Sequence, residues 1–285
     1  MNDELDLSTV RPQVAAWLAE DAGRGDLTTA AVVPQKAYAV ARIEARESFT
    51  VAGLPVAGLC FLVAGESGAA HVEWDPKFDD GAVVPEGAAV ARVEGTLRAI
   101  LTAERTALNV LGRLSGIASL TADYAALVQG TDARVVDTRK TTPGLRVLEK
   151  YAVRVGGGSN HRFGLDDGIL IKDNHLVAAG GIGPAVRSAR VNAHHGLRIE
   201  VEVEDLEGLD EAVAAGADIV LLDNMTVEEV AAAVKRAGGR VLLEVSGGVS
   251  LDNVADYARA GADLISVGAL THSARSVDVA LEVDL

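Results

Sequence analysis

From Arg134 onward the chain repeats one unit: a short Val/Ile/Leu run, then polar or glycine residues, then a stretch of helical periodicity. The apolar runs are RVVD, GILI, RIEVEV, DIVLL, RVLLEV and DLISV. The helical stretches include GLRVLEKYAV, LEGLDEAVAAG, VEEVAAAVKRAG and LDNVADYARAG. Gly216, Gly238 and Gly261 stand where helices end and a strand is due, and glycine accepts the left-handed conformation that closes a helix. Strands apolar throughout, alternating with helices, predict a parallel sheet. Six or seven such units suggest a closed or nearly closed α/β barrel, with a doubly wound sheet as the alternative. No Gly-x-Gly-x-x-Gly follows the first strand, which disfavours a dinucleotide fold.

The first part of the chain has a different rhythm. Val10, Val14, Trp17 and Leu18 predict an amphipathic helix over 8–21, ended by Gly23-Arg24-Gly25-Asp26. Alternation in YAVARIEA, FTVAG, HVEW and VARVEG predicts strands, with a short helix over 54–63 and a loop at DDGAVVPEG. This is a mixed layer with an antiparallel sheet. A long helical pattern follows from about Leu101 to Val128, with Leu108, Leu111, Leu114 and Ile117 in its apolar stripe. Gly112 and Gly116 each weaken it by about 1 kcal/mol relative to Ala, so close packing or a break into two helices is expected there.

Composition narrows the function. Hydrophobic residues make up 49% of the 285, ample for a large core, and no apolar run is long enough to span a membrane. The N-terminus, MNDELDLSTVRP, lacks the basic and apolar regions of a signal peptide, and a single Cys60 can form no internal disulfide. A buried structural thiol and a cytoplasmic location are expected. A net charge of −15 and 4% aromatics argue against nucleic-acid binding. Against that charge, the segment from Arg134 to His175 carries eight basic and five acidic residues. A cationic island in an acidic chain suggests a site for an anionic small molecule.

Polar residues at the C-terminal ends of the predicted strands would converge on one mouth in a parallel barrel. They are Asp137 to Lys140, Lys172 to His175, Glu200, Glu202 and Glu204, Asp223 and Asn224, Ser246 to Gly248, and Gly268 with Ala269. In IEVEVED the three Glu share one face and Ile199, Val201 and Val203 the other. If the apolar face meets the helices, the carboxylates point inward and need cations, with Lys140, Lys172, Arg139 or a metal as candidates. An exposed edge strand is the alternative. Ser246-Gly247-Gly248 and Val267-Gly268-Ala269 would let backbone N–H groups approach a phosphate; either alone is usually just a turn, but both together, with helices following, favour phosphate binding.

Longer segments bear a resemblance. EDAGRGDLTT (20–29), ERTALNVLGRLSGIAS (104–119), DTRKTTPGLRVLEKYAVRVGGGSNHRFGLDDGILIKDNH (137–175), EVEVEDL, DIVLLDN, LEVSGG and DLISVGALTHSA span nearly the whole chain in order. They resemble the quinolinate phosphoribosyltransferases, the carboxylating nicotinate-nucleotide pyrophosphorylases. The resemblance implies an N-terminal α/β sandwich over 1–115, joined by the tail 275–285, and an incomplete, open TIM-like barrel over 116–274. It implies a pentosyltransferase that joins quinolinate to phosphoribosyl pyrophosphate, releasing nicotinate mononucleotide, pyrophosphate and CO₂ in de novo NAD synthesis, with Mg²⁺ required. Arg105, Thr138, Arg139, Lys140, His161, Arg162 and Lys172 would form the quinolinate pocket, Arg105 reaching in from the neighbouring subunit of a homodimer or larger oligomer. Glu202 and Asp223 would sit by the ribose and Mg²⁺, and together with Lys140 carry the catalytic roles. Ser246, Gly247, Gly248, Val267, Gly268 and Ala269 would take the 5′-phosphate. A paralogous transferase with another acceptor, or a silent anion binder of the same fold, are the alternatives; the intact Arg139, His161, Arg162 and Lys172 set disfavours the first, and the complete Glu202, Asp223 and glycine segments the second.

Overall fold

The computed structural model describes residues 5–67 and 71–284. The elements in order are α1 (Leu7–Ala22), α2 (Leu27–Val32), β1 (Tyr38–Ala45), β2 (Phe49–Thr50), α3 (Leu54–Ser67), β3 (Val72–Pro76), β4 (Val83–Val84), β5 (Ala89–Thr96) and α4 (Leu97–Leu127). There follow β6 (Arg134–Val136), α5 (Arg146–Val155), β7 (Ile169–Ile171), α6 (Asp173–Ala179), α7 (Ile182–Asn192), β8 (Ile199–Val203), α8 (Leu206–Ala215) and β9 (Ile219–Asp223). The last are α9 (Val227–Ala237), β10 (Leu242–Ser246), α10 (Val254–Ala260), β11 (Leu264–Ser266), α11 (Ala269–His272) and β12 (Val279–Asp284). The chain divides into two compact units, Met1–Leu120 with Ala274–Leu285, and Thr121–Ser273.

The first unit is built on an antiparallel sheet of order β12-β1-β5-β3. The C-terminal tail returns as its edge strand, with Val40 opposite Asp284 and Ala45 opposite Val279. Asp6 caps α1 by accepting the Ser8 N–H, and Val10, Val14 and Leu18 are its buried stripe. The same chemistry at Asp26, which accepts the Thr29 N–H, starts the short α2 that hydrophobic periodicity does not reveal. Two residues of the expected loop, Val83 and Val84, pair with Phe49 and Thr50. Cys60 is buried and free, its thiol pushed up to about 12 by burial, as a structural cysteine should be.

The long helix α4 runs without a break. A Cβ on Gly112 would lie 2.9 Å from the Val277 carbonyl oxygen, and one on Gly116 only 1.8 Å from that of Arg275. The Gly112 carbonyl also accepts the Val277 N–H at 3.1 Å. The glycines therefore answer to close packing of the returning tail against the helix.

The second unit is a six-stranded, all-parallel sheet of order β6-β11-β10-β9-β8-β7. All six predicted apolar runs are its strands, and α8, α9 and α10 end at Gly216, Gly238 and Gly261 in the left-handed conformation. The sheet does not close, because β6 and β7 are its two edges. Beside β6 the segment at Ser159 makes a parallel bridge to Val136. Leu209, Ala212, Val230, Ala233, Val254 and Ala258 are buried on the helices, and Ile199, Val201, Val220, Leu222, Leu243 and Val245 on the strands. That alternation leaves Glu200, Glu202, Leu221, Glu244 and Ser246 as the other parity of β8, β9 and β10.

Candidate active site

A cavity of about 780 Å³ opens where the strands of the second unit end. Thr138, Arg139 and Lys140 reach it from the end of β6, Lys172 from β7, Glu202 from β8, Asp223 from β9 and Ser246 to Gly248 from β10. His161 and Arg162 line it from the segment before β7, and Val267, Gly268 and Ala269 from the end of β11. Of the residues singled out in the sequence, Arg105 alone lies in the first unit, exposed on α4 with Glu104 3.8 Å away. The wall includes further residues that strand-end polarity does not flag, chiefly Glu244 and His272, and Asn224, seen in the sequence without a role.

Lys172 donates to Glu202 across neighbouring strands, so the inward carboxylate of β8 has the cation its burial requires. Glu200 is 5% exposed and has His161 as its partner, with Nε2 to Oε2 at 3.0 Å. Glu204 lies past the end of β8 and is exposed. The Arg162 N–H donates to Nδ1 of His161 at 2.8 Å. Nδ1 is thus an acceptor, and the ring has the pattern of the neutral Nε2–H tautomer. Burial lowers the pKa of His161, but the Glu200 hydrogen bond and the charges of Glu244 and Glu200 outweigh it and raise it overall. Protonation would break the Arg162 contact, so the two forces oppose one another at this ring.

Glu244 is 1% exposed, its Oε1 3.7 Å from Nε2 of His161. Burial first, and then the Glu200 charge, push its carboxyl up to about 7. Neither of its oxygens has a hydrogen-bond partner, nor do Oε1 of Glu200 and Nε of Arg139 and Arg162. Burial and the neighbouring Arg139 both lower the pKa of the Arg162 guanidinium. Two neighbouring arginines that line one cavity concentrate positive charge there, which suits an anion with more than one charge.

The glycine turns have a steric cause. Gly247 has φ +92°, and a Cβ there would lie 2.1 Å from Oδ1 of Asn224. Asn224, with φ 55°, is the one non-glycine residue in the left-handed region among the described residues. Its N–H donates to the Ser246 carbonyl at 2.8 Å, and its side chain donates to Oδ2 of Asp223 at 2.8 Å. The ends of β9 and β10 are therefore locked together at the wall of the cavity.

Two acidic groups are candidates for a metal. Glu202 and Asp223 offer oxygen only, and two carboxylates are too few for a cage of their own, a donor set that fits a magnesium ion. His161, Glu200 and Glu244 bring ligand atoms within 4.8 Å of one another. With Nδ1 accepting a hydrogen bond, the His161 proton sits on Nε2 and leaves no lone pair for a metal. That trio does not fit a metal centre.

Cations, inward carboxylates and glycine turns at the strand ends of an open, all-parallel sheet define the class: an enzyme of the incomplete α/β-barrel type that brings together a small acid and a phosphorylated partner. Sequence models of the quinolinate phosphoribosyl transferase N-terminal and C-terminal domains match residues 26–115 and 117–282, and the chain belongs to that family. It is 44% identical to the carboxylating nicotinate-nucleotide pyrophosphorylase of Mycobacterium leprae, over 99% of this chain and all of that protein. The human protein of the same name is 39% identical over 96% of this chain and 92% of its own. The crystal structure of NadC from Streptococcus pyogenes superposes with a TM-score of 0.93 at 40% identity, covering 98% of this chain and 97% of that one. Among the described residues no helix is long and apolar enough to cross a membrane.

Proposed function

We propose that this cavity joins quinolinate to phosphoribosyl pyrophosphate and decarboxylates the product to nicotinate mononucleotide, as a step of NAD biosynthesis. The observation that carries the reading is that Arg139 and Arg162, close enough for the one charge to lower the pKa of the other, line the same cavity as Lys172 and Lys140. Quinolinate carries two carboxylates, and guanidinium forks bind such groups in pairs. Thr138 completes that wall, and His161, with both ring nitrogens engaged, shapes it more than it charges it.

The pyridine nitrogen displaces pyrophosphate from the ribose carbon, where positive charge builds as the leaving group departs. Asp223 and Glu202, which line the same cavity, stabilise that charge. Glu202 and Asp223 are the residues that would hold Mg²⁺, whose charge, when bound, would offset that of the departing pyrophosphate. The 5′-phosphate rests on Ser246 to Gly248 and Val267 to Ala269. Loss of CO₂ leaves an electron pair on the ring carbon beside the cationic nitrogen, and that carbon then takes a proton. Lys140 orients the ring or the pyrophosphate. The same reading makes the active unit a homodimer, with Arg105 completing the partner's pocket, and gives it a cytoplasmic setting.

The test is to incubate the protein with quinolinate, phosphoribosyl pyrophosphate and Mg²⁺ and to measure nicotinate mononucleotide and CO₂ together. Both should form, in equal amounts, and chelation should stop both. Quinolinate binding without either product would identify a silent binder, and absence of binding would assign the pocket to another acceptor.

A further inference from the structure

Asp137, just past the end of β6, and Lys150 on α5 form an ion pair in which neither side chain has any solvent exposure. Two charges removed from water are costly, and an apolar pair of similar volume is often equally stable. Stability therefore does not account for them, but their hydrogen bonds do. Oδ1 of Asp137 accepts the His161 N–H at 2.9 Å, and Nζ of Lys150 donates to the His161 carbonyl at 3.0 Å. Asn160 donates to Oδ2 of Asp137 at 2.6 Å and to the Lys150 carbonyl at 2.9 Å, and its own Oδ1 accepts from Arg154 at 2.8 Å. Both backbone polar groups of His161 are thus held by one buried pair.

The pair also ties together two stretches that are distant in sequence. The Asp137 N–H donates to the Ser159 carbonyl at 3.2 Å, and the Ser159 N–H to that of Val135 at 2.8 Å. Residues 159–161 therefore lie along the edge of β6, in the gap of the open sheet. Asp137 directly precedes Thr138, Arg139 and Lys140, and His161 directly precedes Arg162.

We propose that Asp137 and Lys150, with Asn160, are positioning residues for the acid substrate: they fix the distance between the Arg139 and Arg162 guanidiniums by clamping the backbone that carries each. The proposal rests on the assignment of the cavity to quinolinate. The pair is neutral in sum, so it sets geometry without changing the charge offered to the substrate.

Steady-state kinetics in both substrates, with thermal melts, test this on the full chain. Lys150→Met should raise KM for quinolinate about tenfold or more while KM for phosphoribosyl pyrophosphate stays within about twofold, since misplaced binding groups cost selectively. It also leaves Asp137 buried and uncompensated, so its melting temperature should fall. The double variant Asp137→Asn/Lys150→Met should recover the melting temperature and keep the high quinolinate KM. Asn160→Ala, a smaller change that leaves the ion pair intact, should show the same selective KM effect in a folded protein. A wild-type quinolinate KM in the double variant or in Asn160→Ala, or parallel losses for both substrates, would overturn the positioning role. Wild-type protein inactive on quinolinate would instead overturn the assignment of the cavity, and the substrate named here with it.

Discussion

His161 presents its Nε2 to Oε2 of Glu200 at 3.0 Å. Glu244 stands behind that contact with no hydrogen-bond partner of its own. Its carboxyl, ordinarily at 4.5, is pushed up to about 7. Between these values the folded protein holds a proton that the unfolded chain has released. Stability conferred by Glu244 therefore falls as pH rises through this window, and the loss is complete above about 7. Glu244→Gln removes the titration. Relative to wild type it should gain stability from pH 5 to pH 8, on the order of 3 kcal/mol at most. Urea unfolding at the two pH values checks this, and parallel curves for the two proteins would refute it.

Lys140 lines the cavity while its carbonyl accepts from Thr271 at 2.7 Å, so its backbone is anchored and its side chain is exposed. Lys140→Ala should cut kcat by about 100-fold or more and change quinolinate binding little, because a group acting in the transition state contributes to turnover above ground-state affinity. Binding by calorimetry and kcat by product release separate the two. Equal losses in both would make Lys140 an ordinary binding cation.

Gly247 cannot accept a side chain without displacing Asn224. Gly247→Ala should raise KM for phosphoribosyl pyrophosphate about tenfold or more, through a strained left-handed residue and a shifted turn, and leave quinolinate binding unchanged. Retention of wild-type KM for both substrates would remove the turn from the phosphate site.

Gly116 belongs to the first unit, and its test is one of stability. A methyl group there meets the Arg275 carbonyl oxygen at 1.8 Å, and backbone cannot yield as a flexible side chain can. Gly116→Ala should destabilise the protein by about 3 kcal/mol, the upper range for overpacking, as read from denaturant unfolding. A change below about 0.5 kcal/mol, the scatter of neutral surface substitutions, would mean that the tail adjusts freely.

Much of this was legible in the chain by itself. Val/Ile/Leu runs with glycine-ended helices specify parallel strands, because short apolar runs buried on both faces leave few other solutions. Polar residues at the ends of such runs, from Thr138 to Lys140 and at Lys172, Asp223 and Ser246, then share one mouth by geometry alone. The alternation of IEVEVED puts Glu200 and Glu202 on one face, since strand parity is local, while the burial of Ile199, Val201 and Val203 on the other face is what turns that face inward. Other features needed the tertiary structure. Of the counter-charges expected for the inward carboxylates, Lys140, Lys172, Arg139 or a metal, Lys172 meets Glu202, while the partner of Glu200 is His161, because the segment at 159–161 lies in the gap of the open sheet. Glu244 is a single carboxyl in RVLLEV, a signal visible in the sequence, but its meaning depends on Glu200 two strands away. The buried Asp137–Lys150 pair is likewise invisible to periodicity, which records which face a residue takes and not what it meets there. Local pattern determines element and face; which charges meet is decided by strand order and by where the sheet stays open.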